Sequence, residues 1–144
     1  MADYQFARIE WAAKSRSKPK TQTFNGLKSR GGGWSARDLA AEAERKPGHC
    51  DHVDAPQPPI ILYGVTPSEV ADLAEKWANS QKDAGGRKLA KNSPCLAGGV
   101  ISCPRSREDV WPALRDAAIE HLKLKLGTNL KSVIEHADEA RAGD

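Results

Sequence analysis

No apolar run in this chain approaches the roughly 18 to 20 residues that a membrane span needs. No membrane partner is therefore expected. The opening stretch, Met1 to Glu10, mixes polar and apolar residues and carries an acid at Asp3, which is unlike a secretory leader. Cysteine is scarce and unpatterned: Cys50, Cys95 and Cys103 are widely spaced and form no CxxC. That argues against a disulfide scaffold and for reduced thiols in a cytoplasm. There is no GxSxG, no P-loop, no dinucleotide fingerprint and no internal repeat. Gly31-Gly32-Gly33 lacks the preceding strand and the lysine that a phosphate cradle needs.

Acids are also missing where bases collect. Between Lys14 and Arg37 stand seven basic residues, Lys14, Arg16, Lys18, Lys20, Lys28, Arg30 and Arg37, and no acid. From Glu135 to Asp144 four acids face one arginine, so the chain is polarised although its net charge is only +3. Such asymmetry points to an anionic partner for the N-terminal part, and Arg16, Lys18, Lys20, Lys28, Arg30 and Arg37 are the candidate phosphate contacts. The plain alternative is a solvated loop. Hydrophobic residues make up 39% of the 144, enough for one domain with a modest core.

The elements read as β, loop, α, tether, α, β, α, β. Tyr4 to Trp11 alternates and then changes parity, which predicts a strand bulged near Ala7. The stretch at about 14–34, rich in Ser, Lys, Thr and Gly, predicts a mobile basic loop. Ser35 caps a short helix with Asp38 in its first turn, and Pro47-Gly48 stops it. Residues 54–59 form a proline-stiffened connector before the apolar run Ile60 to Val65. Thr66-Pro67-Ser68-Glu69 is a strong helix start, with Val70, Leu73, Ala74 and Trp77 predicted to share the buried face. Leu96 to Cys103 predicts a strand. Ser106 to Asp109 repeats a capping pattern ahead of a stripe of Val110, Trp111, Leu114, Ala118, Leu122 and Leu126 that Gly127 ends. Leu130 to His136 predicts a last strand. This order suggests α+β, or α/β, with helices packed on one sheet face.

Candidate chemistry is thin. His49 and His52 flank Cys50 as a conceivable metal pair, but no second cluster accompanies them, and a turn with solvated imidazoles fits better. His121 reads as a surface residue and Cys103 as a structural thiol. His136, at a strand end with Asp138 and Glu139 close behind, has the residue types that hold a divalent cation.

Four segments together resemble the N-terminal part of the Mob/Pre plasmid mobilisation relaxases, also called plasmid recombination enzymes. They are the opening YQFARIEW; the basic, glycine-rich stretch leading to Gly33-Trp34-Ser35-Ala36-Arg37-Asp38; Gly98 to Cys103 with Pro104-Arg105; and Ser132-Val133-Ile134-Glu135-His136 with Asp138-Glu139. The last is similar to the family's strand, His-x-Asp-Glu and His-x-His pattern. The resemblance implies a central antiparallel sheet with helices on one face, a partial fold of the HUH type. It implies binding of DNA at a plasmid origin of transfer, as hairpin and single strand. It also implies nicking by a Tyr or His nucleophile, with manganese or magnesium held by three histidines to neutralise the scissile phosphate.

His136 matches the first of those histidines and Glu139 the nearby acid, but the chain reads Ala140 to Asp144 where the His-x-His pair belongs. A truncated, incomplete metal site, no bound cofactor and no independent nicking are expected. The catalytic nucleophile is unknown; Tyr4, His49 and Tyr63 are candidates without motif support. The alternative reading is a small binding protein derived from a mobile element that inhibits a host defence complex, in the manner of an anti-CRISPR inhibitor.

Overall fold

The computed structural model describes residues 6–24, 27–51, 53–82, 85–88, 90, 93–103, 105–136 and 140–141. In chain order the elements are β1 (Phe6–Ala13), β2 (Lys20–Phe24), β3 (Leu27–Gly31), α1 (Ala36–Ala43), β4 (Val53–Asp54), β5 (Ile60–Gly64), α2 (Pro67–Ser80), β6 (Pro94–Ser102), α3 (Trp111–Leu126), β7 (Ser132–Glu135) and β8 (Ala140–Arg141). The fold is α+β. Its strands form separate antiparallel pairs, β1 with β6, β2 with β3, β4 with β8 and β5 with β7, in place of one central sheet.

The helix starts follow local chemistry. Ser35 accepts from the Asp38 backbone N–H while the Asp38 carboxylate accepts from the Ser35 N–H, a complete capping box. Thr66 accepts from the Glu69 N–H, with Pro67 in the first turn where its missing donor costs nothing. The third helix begins differently. Arg105–Val110 is a 3-10 segment, and Val110 offers α3 no side-chain cap. Ser106 therefore lies within the 3-10 segment and not at the start of α3. Gly127 ends α3 as its sequence suggests.

The core is built from small residues. Ala12, Ala36 and Ala74 form its buried centre, with Leu39, Cys95 and Leu96 packed around them. Alanine faces let α1 and α2 approach β1 and β6 closely, which trades side-chain burial for close backbone approach. The buried face of α2 is Pro67, Ala71 and Ala74. Trp77, predicted to face the sheet, is instead 47% exposed. A large indole does not fit a seam whose spacing is set by alanines. Trp11 is the one large side chain buried to 1% exposure among the described residues, and its indole N–H donates to the Lys20 carbonyl at 3.3 Å.

The irregularity in β1 falls between Ala12 and Ala13, not near Ala7. Trp11, Ala12 and Ala13 are all buried there, so the end of the strand is covered on both sides. The second substructure is β5–β7 with α3. The Trp111 indole N–H donates to Glu135 at 2.7 Å, Arg115 reaches the same carboxylate at 3.4 Å, and Lys123 lies 4.9 Å from the Tyr63 ring centre. Every residue of the sequence stripe on α3 is half-buried, and none is fully buried. Among the described residues no helix is long and apolar enough to cross a membrane.

Candidate nucleic-acid interface

Where the sequence suggests a loop, residues 20–24 and 27–31 pair as the two strands of the β2–β3 hairpin, with Thr21 opposite Arg30 and Thr23 opposite Lys28. Directly opposed residues share a face. One face therefore carries Thr21, Thr23, Lys28 and Arg30, all exposed. The other turns inward through Ser29, which is 3% exposed and donates to the Gln22 carbonyl. Strand pairing and the contact with β1 order a polar segment that has no core of its own.

The glycine run explains how the hairpin meets β1. A Cβ on Gly31 would strike the Trp11 backbone carbonyl, so only glycine allows that approach. Gly32, at φ +88°, donates its N–H to the Trp11 carbonyl at 3.1 Å, and a Cβ there would stand 2.7 Å from the Lys18 carbonyl. A strand does precede these glycines. They serve a backbone crossing, and they deliver Trp34 to the surface at 47% exposure.

The six candidate phosphate contacts separate into two groups. Lys18, Lys20, Lys28 and Arg30 are exposed and make no ion pair among the described residues. Arg16 and Arg37 are committed elsewhere. Arg37 joins α1 to α2 through Asp72 at 2.7 Å and Glu75 at 2.8 Å. Arg16 donates to both Asp38 oxygens, at 2.9 and 3.2 Å, and its guanidinium carbon lies 5.4 Å from the Trp34 ring centre.

Asp38 is a hub that the sequence shows only as a helix-start acid. Beyond Arg16 it accepts from the Ser35 N–H at 3.1 Å and hydroxyl at 2.9 Å, and His49 Nε2 lies 3.4 Å from its other oxygen. The Arg16 guanidinium, ahead of the Ser35 and His49 hydrogen bonds, holds this carboxyl well below the usual carboxylate range despite partial burial. The His49 ring stands 6.1 Å from that of Trp34. A cleft of about 700 Å³ opens beside this group, lined by residues that include Glu10, Trp11, Arg30, Trp34, Glu42, His49 and Asp51.

The remaining candidates are scattered. Tyr4, His52 and Glu139 lie outside the described residues. Tyr63 sits under Lys123 in the β5–β7 substructure, and His121 is exposed on α3. Of the two described nucleophile candidates, His49 is among the residues lining the cleft and Tyr63 is not. His136 is half-buried just after β7, and among the described residues no three His, Cys, Asp or Glu side chains group to hold a metal ion. Cys50, in the segment after α1, is buried with its thiol on the Lys46 carbonyl at 3.3 Å, and none of Cys50, Cys95 and Cys103 forms a disulfide.

Comparison of the chain with protein-family models, with curated proteins and with solved structures finds no match.

Proposed function

We propose that this chain is a nucleic-acid-binding domain of relaxase type. It acts in a cytoplasm, engages DNA such as a plasmid origin of transfer, and does not nick that DNA by itself. The observation that carries the reading is the hairpin. Its outward face sets two cations, Lys28 and Arg30, beside two hydroxyls, Thr21 and Thr23, with Lys18 and Lys20 exposed at its base. Cations and hydroxyl donors are the groups that hold phosphate oxygens, and they fix a protein on a nucleic-acid backbone without reading its sequence. A tract whose charges were consumed in ion pairs would offer nothing to phosphate; here the four outermost are available. The relaxase type itself rests on the four sequence segments that resemble that family.

Binding of a fluorescent duplex or hairpin DNA, followed by anisotropy across a salt series, tests the reading. If four cations engage duplex, log affinity against log salt falls with a slope of roughly -3.6. The pair Lys28→Gln with Arg30→Gln flattens that slope by about 1.8. DNA affinity that is absent, or indifferent to salt, sinks the proposal.

A further inference from the structure

The cleft beside the hairpin has a composition that phosphate binding does not explain. Its wall and rim carry three carboxylates, Glu10, Glu42 and Asp51, with Glu42 paired to Arg45 at 3.0 Å. Carboxylates repel a phosphate, so the backbone of a bound strand belongs on the hairpin face outside. What the cleft does offer is a flat aromatic surface, the half-exposed Trp34 indole, with acceptor oxygens among the same lining residues. Arg30 belongs to both places: it lies on the cationic hairpin face and lines the cleft. A strand whose phosphates follow Lys28 and Arg30 therefore runs past residues of the cleft lining. The cleft volume suits a small aromatic ligand.

We propose that this cleft takes an unpaired nucleobase bearing an exocyclic amino group. The base stacks on Trp34, and its amino N–H groups donate to the cleft carboxylates, Asp51 foremost because it is exposed at the mouth. The inference rests on the nucleic-acid reading above and adds to it the cleft that takes a base and the class of that base. A duplex keeps its bases stacked and paired and cannot supply this group. Stacking on an aromatic side chain tolerates any base. A carboxylate acceptor favours amino-bearing bases such as cytosine over thymine, whose single ring N–H is flanked by two carbonyl oxygens that the carboxylate repels.

The test compares oligo(dC), oligo(dT) and duplex DNA at neutral pH and one salt concentration, using oligomers of about twelve nucleotides. Oligo(dC) is expected to quench tryptophan emission and to bind several-fold more tightly than oligo(dT). Trp34→Ala is expected to weaken oligo(dC) roughly tenfold, while Trp34→Phe keeps most of the affinity. Neither variant moves duplex affinity more than about twofold, and Trp77→Ala, exposed on α2 and not among the cleft-lining residues, moves nothing. The emission of the unaltered protein gives a readout independent of how the variants fold. If Trp34→Ala leaves oligo(dC) affinity intact while Lys28→Gln with Arg30→Gln removes it, the cleft assignment is wrong and the phosphate-binding hairpin stands. Equal affinity for oligo(dC) and oligo(dT) overturns the amino-group selectivity. If neither oligomer nor duplex binds, both readings fall.

Discussion

Asp38 shows what a single residue does in this fold. It completes the cap of α1, holds Arg16 against Trp34, and touches His49 across a gap of eleven residues in sequence. Its carboxyl is held below the free value of about 3.9, so its contribution is fully present at neutral pH. That contribution is lost as pH falls through the lowered folded-state value. Asp38→Asn is expected to cost about 1 to 2 kcal/mol at neutral pH, with the difference from the unaltered protein shrinking below about pH 3. Urea midpoints at the two pH values measure it; an equal difference at both contradicts the assignment. Two tryptophans give a second contrast. Trp11→Ala, which empties the one large buried site among the described residues, is expected to cost about 3 to 5 kcal/mol. Trp77→Ala, at 47% exposure, is expected to cost about 1 kcal/mol or less.

At the scale of the element, what was legible in the sequence is what neighbours decide. Thr66-Pro67-Ser68-Glu69 starts α2 because the cap, the proline and the acceptor all lie within one turn. Thr66→Ala is expected to cost about 1 kcal/mol, read as a shift in denaturation midpoint with unchanged cooperativity. The face of α2 was not legible. Hydrophobic periodicity ranked Val70, Leu73, Ala74 and Trp77 as buried; of these the seam keeps Ala74 and adds Pro67 and Ala71, because α1 lies close on the other side. Periodicity measures greasiness, while close packing between two helices rewards small volume. The hairpin was missed for a related reason. Lys20 to Gly31 has no apolar face to alternate, although Asn25-Gly26 is a two-residue hairpin signal in its own right.

For the whole molecule, the decisive expectation concerns catalysis. A phosphoryl-transfer cation needs several protein ligands to hold it against water, and His136 is the one histidine these 144 residues place in the relaxase register. Manganese is therefore expected to raise the melting temperature little, and supercoiled plasmid is expected to stay intact with manganese or magnesium present. Nicking that His136→Ala abolishes would show a complete metal site and refute this. Sequence alone determined the α+β class, the caps at Ser35 and Thr66, the helix stop at Gly127, and the segregation of positive charge before Arg37. Each is a property of residues within a turn or a short stretch of one another. Only tertiary structure decided which positive charges remain available. Asp72 and Glu75 of α2 consume Arg37, and Asp38 consumes Arg16, whereas Lys18, Lys20, Lys28 and Arg30 stay open. It also decided that Trp34, His49 and Arg30 share one cleft. An ion pair or a pocket forms between groups that folding brings within a few ångströms, and their separation along the chain carries no record of it.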